Sequence, residues 1–282
     1  MIYILIIVLA GTFGAIGQYL DKHLVNLGIS KHDYFYYMCL SMIPFSIIMI
    51  IIEYFTGELR FSFNIIPIIL LIIGMIIRYY KQHTIVGCMK YLNPYENSAY
   101  MTLGIVIAFV IDVFLGIEQL KIFSILSIIL TIIGVFLLAN SKLKIIELRK
   151  DLFVRIILTL LMSYVTHFML LYWSNAVFLF VMNLFLTVIF SKNYKLKYHL
   201  GKTKIIKFIF IQQLFGFSSV YLSNYLASDS VTLSSYVKPM SIVIVVLISL
   251  FYNDKNKKPN FKQIVGIVLI LCGIILLYQN KY

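Results

Sequence analysis

The sequence predicts an all-α membrane protein with about ten transmembrane helices, arranged as two inverted repeats of five helices. Three observations lead to this prediction: a very apolar composition, about ten separate apolar stretches, and a chain ending that occurs twice. Hydrophobic residues make up 61% of the 282 residues and charged residues only 12%, and the mean hydropathy is +0.95. A water-soluble domain of this composition would expose large apolar patches, so the expected solvent is the bilayer.

Each predicted transmembrane helix is a stretch of about 20 mostly apolar residues, long enough to cross the bilayer with its backbone groups paired internally. The predicted spans are 2–20, 35–55, 64–82, 96–115, 121–140, 152–173, 175–190, 205–227, 232–252 and 261–279. The first begins one residue after Met1 without a basic segment, which predicts a retained helix and not a signal peptide. The seventh is short and almost joins the sixth. The longest polar connection, 191–204, leaves no room for a soluble domain.

The sequence pattern at the end of the first half occurs again at the end of the chain. Residues 116–140 and 252–279 both contain a short charged loop followed by an apolar helix with small residues seven positions apart. These small residues are Ser127 and Gly134 in the first copy and Gly266 and Gly273 in the second. We expect small residues of this kind to let another helix approach closely, as we also expect for Gly11, Gly14 and Gly17. The repeat predicts two units, 1–145 and 146–282.

The number of spans in each unit decides how the two units are related. Residues 98–100 match 234–236, so spans 3 to 5 correspond to spans 8 to 10. Because five is odd, the second unit enters the membrane from the opposite side, and the repeat is inverted. Two such units can open a shared central site to one side and then to the other.

Basic residues are distributed unevenly between the two predicted sides of the membrane. The side of Met1 holds only Arg60, Lys121 and Lys281, whereas 17 lysines and arginines, with Lys81 counted among them, lie on the other side. The positive-inside rule therefore predicts cytoplasmic lysine-rich loops and both termini outside. We expect these lysines to contact anionic lipids, so the net charge of +13 requires no nucleic-acid partner.

Several of these features together resemble the EamA-type branch of the drug/metabolite transporter superfamily. They are the aromatic end of span 3, the polar start of span 4 at residues 98–100, Glu118 after it, and a fifth span ending in GVFLL. The second half repeats them with residues 234–236, Pro239, Asp254 and GIILL. The resemblance covers nearly the whole chain. It implies a ten-helix transporter with spans 3, 4, 8 and 9 around a cavity, and it implies cytoplasmic termini, opposite to the loop charges. Family members often have a proline in span 4, which this chain has only in span 9.

Polar residues within the spans are the candidates for a substrate site, because a charge inside the bilayer is costly and usually faces a cavity. The alignment of the halves places Arg78 and Tyr79 opposite Gln212 and Gln213, and Lys238 lies about two turns inside span 9. Tyrosines on cavity-lining helices can offer a hydrogen bond together with an apolar face. The predicted substrate-binding residues are Arg78, Tyr79, Tyr100, His167, Gln212, Gln213, Tyr221, Tyr236 and Lys238.

Glu96 is the candidate for coupling to protons, because a partly desolvated carboxylate can exchange a proton in each cycle. Each candidate also has a structural alternative. Arg78 could end a shorter span and extend to the headgroups. Glu96 could be a helix-start acid that follows a proline. His167 could be a packing residue, and Asp112 is expected to be an interfacial acid.

The sequence thus predicts a secondary transporter that moves a small polar metabolite, such as an amino acid or another small solute, across the cytoplasmic membrane by alternating access. Arg78, Lys238 and His167 favour an anionic group. No GxxxxGK[ST] loop is present, so we expect a proton or cation gradient to supply the energy. One alternative is a flippase for an amphipathic or lipid-linked intermediate. Another is a membrane-embedded transferase, which would need clustered catalytic acids or histidines.

We expect no enzyme activity, no cofactor and no metal. The three cysteines, Cys39, Cys88 and Cys272, lack metal-binding spacing and are predicted to be buried free thiols. The expected partners are a small-molecule substrate and membrane lipids, and the expected assembly is a monomer or a homodimer.

Overall fold

The protein is α-helical throughout the part of the chain that the structure describes, a computed structural model covering residues 2–26, 31–91, 94–138, 150–192, 203–252 and 261–279. The helices are α1 (Ile2–Asn26), α2 (Lys31–Thr56), α3 (Ile65–Tyr91), α4 (Pro94–Thr102), α5 (Gly104–Phe114), α6 (Ile122–Leu138), α7 (Lys150–Met169), α8 (Asn175–Ser191), α9 (Thr203–Asp229), α10 (Val231–Ser235), α11 (Val237–Tyr252) and α12 (Phe261–Gln279). The predicted boundary between the two units, 145/146, lies outside the described residues.

Six helical stretches are long and apolar enough to cross a membrane. They are Ile2–Leu24, Asp33–Thr56, Ile65–Thr84, Glu96–Phe114, Leu152–Met169 and Val231–Ile248. Three shorter apolar helices accompany them: Ile122–Leu138, Asn175–Ser191 and Phe261–Leu277. The prediction of a helical membrane protein is therefore confirmed, and the finer prediction of ten spans in two inverted repeats stays a prediction.

The exterior of the helix bundle is apolar, and polar side chains gather inside it. On α3, Ile69, Ile73 and Ile76 are 41–53% exposed, whereas Arg78 and Gln82 on the same helix are buried. This is the reverse of a soluble protein, because exterior side chains that meet lipid tails need no hydrogen-bond partners, whereas polar groups do.

Two helices extend well beyond the apolar stretches that predicted them. α1 continues to Asn26 and α3 to Tyr91, so Asp21 lies within a helix and the polar run from Arg78 to Gln82 lies well before the end of one. Arg78 is buried and lines the interior, so the alternative in which it ends a short span and reaches the headgroups is wrong. The apolar pattern is interrupted here because some positions of these turns face the polar interior, where polar residues replace apolar ones without ending the helix.

Spans 4 and 9 were predicted as continuous helices, but each is interrupted near its start. A turn at Leu103 separates α4 from α5, and a turn at Tyr236 separates α10 from α11. Pro239 accounts for the second turn, since it has no N–H to bond the carbonyl of Ser235 four residues earlier. The first turn precedes Gly104, a weak helix former. Both halves are thus interrupted, with or without proline.

α6 and α12 pack along their small residues, as predicted. A Cβ atom added at Gly134 would lie 2.7 Å from the carbonyl oxygen of Gly266, and one at Gly266 would lie 2.8 Å from that of Gly134. At the other contact, the Ser127 hydroxyl donates to the carbonyl oxygen of Gly273 at 2.6 Å. The backbones approach too closely for larger side chains, so these positions are structural.

The glycine face of α1 packs against α9 and α11. A Cβ atom at Gly11 would lie 2.9 Å from Met240, and one at Gly14 would lie 2.9 Å from the Ser219 hydroxyl. That hydroxyl donates to the Ala10 carbonyl at 2.8 Å. α2 packs mainly on α8, and α3 packs mainly on α7. These contacts surround the centre of the bundle, where the polar residues meet.

Candidate functional site

A cavity of about 270 Å³ lies at the centre of the bundle. It is lined by residues of α1, α2, α3, α4, α5, α7, α8, α9, α10 and α11, and, among the described residues, by none of α6 or α12. Spans 3, 4, 8 and 9, which the resemblance places around a cavity, all contribute to it. The pair formed by α6 and α12 packs outside this ring.

Four cationic side chains line the cavity. Arg78 and Lys81 come from α3, Arg155 from α7 and Lys238 from α11. Arg78 and Arg155 are each only 7% exposed. Lys81 was counted among the loop charges in the sequence, and this assignment is wrong because α3 continues past it and turns it toward the interior.

Asp21 on α1 is the only carboxylate among the described residues that line the cavity. Its Oδ1 atom accepts a hydrogen bond from the Tyr34 hydroxyl on α2. Asp21 also interacts electrostatically with Arg155 and Lys238, and Gln212 donates a hydrogen bond to it. One negative charge therefore faces several positive ones.

A hydrogen-bond network ties the arginine on α7 to α4 and α1. Arg155 donates through Nη1 to the Asn97 Oδ1 atom at 2.6 Å. Asn97 in turn donates through Nδ2 to the Gln18 Oε1 atom at 3.2 Å, and the Ser98 hydroxyl donates to the same oxygen at 2.8 Å. The network fixes the direction of the guanidinium before any ligand arrives.

Several polar atoms around the cavity lack strong partners. Among the described residues, the hydrogen-bond acceptors of Arg78 Nη2 and Gln82 Nε2 are the sulfur atoms of Met42 and Met38, at 3.2 and 3.5 Å, and thioether sulfur is a weak acceptor. Four buried side-chain atoms at the cavity have no hydrogen-bond partner in the described structure: Gln82 Oε1, Arg155 Nε, Thr159 Oγ1 and Gln213 Oε1. Buried polar groups are rarely left unpaired, so a bound polar molecule or water would satisfy them.

The structure brings four of the nine predicted binding residues together at this cavity. They are Arg78, Gln212, Gln213 and Lys238. Gln213 donates through Nε2 to the Gln212 Oε1 atom, so the two amides form one polar surface on α9. Arg78 and these glutamines, which the alignment of the two halves placed opposite each other, thus line the same cavity, and the alignment itself stays a prediction.

Three predicted tyrosines do not line the cavity. Tyr79 stacks on Phe190 with ring centroids 5.5 Å apart, because the position after Arg78 faces α8. Tyr100 lies in a small apolar cluster with Cys88 and Leu152. Tyr236 is fully buried, with its hydroxyl 2.6 Å from the Ser127 hydroxyl of α6.

Tyr221 and His167 also point away from the cavity, although neighbouring residues line it. The Tyr221 hydroxyl donates to the Glu53 Oε1 atom at 2.7 Å. His167 Nδ1 lies 2.7 Å from the carbonyl oxygen of Ala227, which fits the packing role stated as its alternative. Only some positions of a helix face a cavity. Knowing that a residue lies on a cavity-lining helix therefore did not predict whether its side chain faces the cavity.

The two acidic residues considered in span 4 have different positions. Glu96 lies half-buried in the first turn of α4 and does not line the cavity, so its coupling role stays a prediction. Asp112 is fully buried, and the prediction of an interfacial acid is wrong. Its Oδ2 atom accepts bonds from the backbone N–H and the hydroxyl of Thr232, both at 2.7 Å, and its Oδ1 from the Tyr164 hydroxyl at 2.8 Å.

Sequence reasoning missed two central residues. Asp21 falls just beyond predicted span 1, and Arg155 falls near the start of predicted span 6, where basic residues commonly reach the headgroups. The signal in the sequence that could have identified both residues was a charged side chain close to the end of a predicted span. Cys272 was also misplaced, since it is exposed on α12 while Cys39 and Cys88 are buried. Within the described ranges, no group of three or more His, Cys, Asp or Glu residues could hold a metal ion.

Comparison with known proteins adds no relative. No family model matches the chain, and no curated protein matches it. The helical fold and the polar cavity in a membrane protein therefore carry the functional argument.

Proposed function

We propose that this protein is a secondary transporter that moves a small anionic metabolite across the cytoplasmic membrane by alternating access. The observation that carries the proposal is the central cavity, which sets four cationic side chains against one carboxylate inside an apolar bundle. Buried charge in a membrane protein is costly and marks pathways for polar solutes. The EamA-type resemblance is part of the same proposal.

The packing of the helices supports two inverted five-helix halves. A twofold axis in the membrane plane would exchange α1 with α7 and α3 with α9, and α1 packs on α9 as α7 packs on α3. The α6 and α12 contact has the same property. The exchange turns the contact of Ser127 with Gly273 into that of Gly266 with Gly134, and both contacts are present. Inverted halves of this kind are the usual basis of alternating access.

The size of the cavity favours a small solute over a lipid-linked one. Pockets for drug-sized ligands are typically about 300–1,000 Å³, and this cavity is about 270 Å³. A metabolite with a few carbon atoms fits such a volume, whereas a polyprenyl or acyl chain needs a path along the bundle surface. We therefore rank the flippase second and the transferase third.

Ligand screening followed by transport measurements tests the proposal. The purified chain is heated with carboxylates, phosphates, amino acids, nucleosides, sugars and quaternary amines, since a solute that binds the folded state raises its stability. The stabilising solute is then measured for exchange across liposomes containing the protein. We expect an anion to stabilise the protein and to be exchanged.

Two matched lysine variants link the transport to the cavity. Lys238→Gln is expected to reduce exchange at least tenfold, because a charge facing the substrate is lost. Lys262→Gln, on the exposed start of α12, should leave exchange unchanged. Stabilisation by cations but not by anions would contradict the proposal, and so would equal exchange by both variants and the parent protein.

A further inference from the structure

The cavity carries an excess of positive charge that one bound monoanion would not balance. Arg78, Lys81, Arg155 and Lys238 line it, and Asp21 is the only carboxylate among its described lining residues. With all five groups ionised, three positive charges remain without a partner carboxylate. Uncompensated charge in a low-dielectric interior is strongly unfavourable, so the site is built for an anion.

The two lysines are close enough to other cations of the cavity to be repelled by them. Lys81 is repelled by Lys238, Arg78 and Arg155. Lys238 is likewise repelled by Arg155, and its attraction to Asp21 is the weaker of the two. An anion placed between like charges offsets their mutual repulsion.

The positive charges form two groups with different surroundings. Arg155 and Lys238 already interact with Asp21. Arg78 and Lys81 interact with no carboxylate among the described residues, and the guanidinium of Arg78 contacts only the sulfur of Met42. The α3 pair thus lacks an anion altogether, and the α7 and α11 pair shares one.

Unpaired donors lie beside the second group. Arg155 Nε and the Thr159 hydroxyl are both buried at the cavity without a hydrogen-bond partner in the described structure. They are four residues apart on α7, so they lie on the same face of the helix. Since Arg155 Nη1 is held by Asn97, its Nε edge is left for an oxygen of the ligand.

We propose that the transported solute is a small dianion, a dicarboxylate or a phosphate monoester, held between the Arg78 and Lys81 pair on α3 and the Arg155 and Lys238 pair on α7 and α11. The inference rests on the proposed transport function. A dianion reduces the three unbalanced charges to one, whereas a monoanion leaves two. In this site Asp21 opposes the ligand, because it competes for the same two cations.

The test compares solutes that differ by one charge at nearly constant size. Binding of succinate and its monoamide, succinamate, is measured calorimetrically at pH 7.5 on the full chain in nanodiscs of zwitterionic lipid. Glycerol 3-phosphate and its methyl diester form the second pair and distinguish phosphate esters from dicarboxylates. We expect at least one dianion to bind ten times more tightly than its own monoanionic partner. Equal affinities within both pairs overturn the inference, and so does the absence of binding by both dianions.

Variants of the cavity separate charge recognition from general damage. Arg78→Gln is expected to remove the preference for the dianion within a pair. Asp21→Asn is expected to tighten dianion binding at least threefold, a gain that a misfolded protein could not give. Asp229→Asn, on the exposed end of α9, serves as the control. Weaker dianion binding by Asp21→Asn overturns the inference.

The failure of this inference can be told apart from the failure of the transport proposal. Exchange of a monoanion or a neutral solute across liposomes, with no preference for dianions, would support the transport proposal and contradict the dianion inference. Selective dianion binding without exchange of the bound dianion would support the proposed dianion site and contradict the transport function.

Discussion

The buried carboxylates of this protein are held by donors from neighbouring helices. Asp112 on α5 bonds to Thr232 and Tyr164, and Glu53 on α2 accepts from the Tyr221 hydroxyl. Hydrogen bonds to an ionised acceptor are stronger than those between neutral groups. Each of these acids therefore fixes the contact between its own helix and a helix of the second half.

Asp112→Asn is expected to lower the free energy of unfolding by about 2 kcal/mol. The amide NH2 group replaces one carboxylate oxygen and cannot accept the hydrogen bonds that the neighbouring donors make to that oxygen. Thermal unfolding in detergent measures the change as a lower Tm. Asp229→Asn is the control, since the same substitution there alters an exposed side chain. Equal Tm values for the two variants would contradict the structural role of Asp112.

At the scale of helices, close backbone approach determines which pairs form. α6 and α12 meet at Gly134 and Gly266, where a methyl group would lie 2.7–2.8 Å from the opposite carbonyl oxygen. In a bilayer the hydrophobic effect does not drive helix association, so packing and interhelical hydrogen bonds decide it. The bond from the Ser127 hydroxyl to the Gly273 carbonyl supplies one of these.

Gly134→Ala is expected to destabilise the protein by about 1–3 kcal/mol, because the added methyl group must push the two backbones apart. Gly17→Ala is the matched control: it also lies on a helix interface, but the nearest atom to its added Cβ is at 3.7 Å. Tm values in detergent compare the two variants. A larger loss at Gly17 than at Gly134 would show that the α6 and α12 contact is looser than described.

For the whole molecule, the proposed alternating access would require contacts that close one end and can be broken. Glu53, where α2 ends and α8 begins, is our candidate for such a contact. Its Oε1 atom accepts from the backbone N–H of Ala176 at 3.0 Å and from the Tyr221 hydroxyl at 2.7 Å. Ser223, two residues further along α9, lines the cavity. Because Glu53 lies between three helices, we predict that it is a closing contact for this end.

Glu53→Gln is expected to open this end more often, because a neutral amide holds the Ala176 N–H and the Tyr221 hydroxyl less strongly. The measurement is the rate at which a membrane-impermeant thiol reagent labels a cysteine at Ser223 in a protein without Cys39, Cys88 and Cys272. We expect labelling at least threefold faster than with Glu53 present.

Glu58→Gln is the control for this experiment, because Glu58 is exposed near the same end of α2. Equal labelling rates with Glu53→Gln and Glu58→Gln would exclude Glu53 as a closing contact. Slower labelling with Glu53→Gln would mean that its carboxylate keeps this end open.

The membrane class and the positions of most helices could be predicted from the sequence alone, because apolar stretches of bilayer length are a property of the chain itself. Predicted span 10, residues 261–279, coincides with α12. The close contacts at Gly134 and Gly266 were also predictable, since small residues seven apart lie on one face of a helix. The lengths of α1 and α3 were not predictable from hydropathy, because polar residues such as Asp21 interrupt the apolar pattern before the helices end.

The sequence by itself indicated that the chain is a helical membrane protein, and it singled out Arg78 and Lys238, which line the cavity. Only the tertiary structure decided which polar residues meet. It added Asp21, Lys81 and Arg155 to the cavity and turned Tyr79, Tyr100, Tyr221, Tyr236 and His167 away from it. The reason is physical: a polar residue in a membrane helix must face a partner, and the choice of partner depends on the helices packed around it.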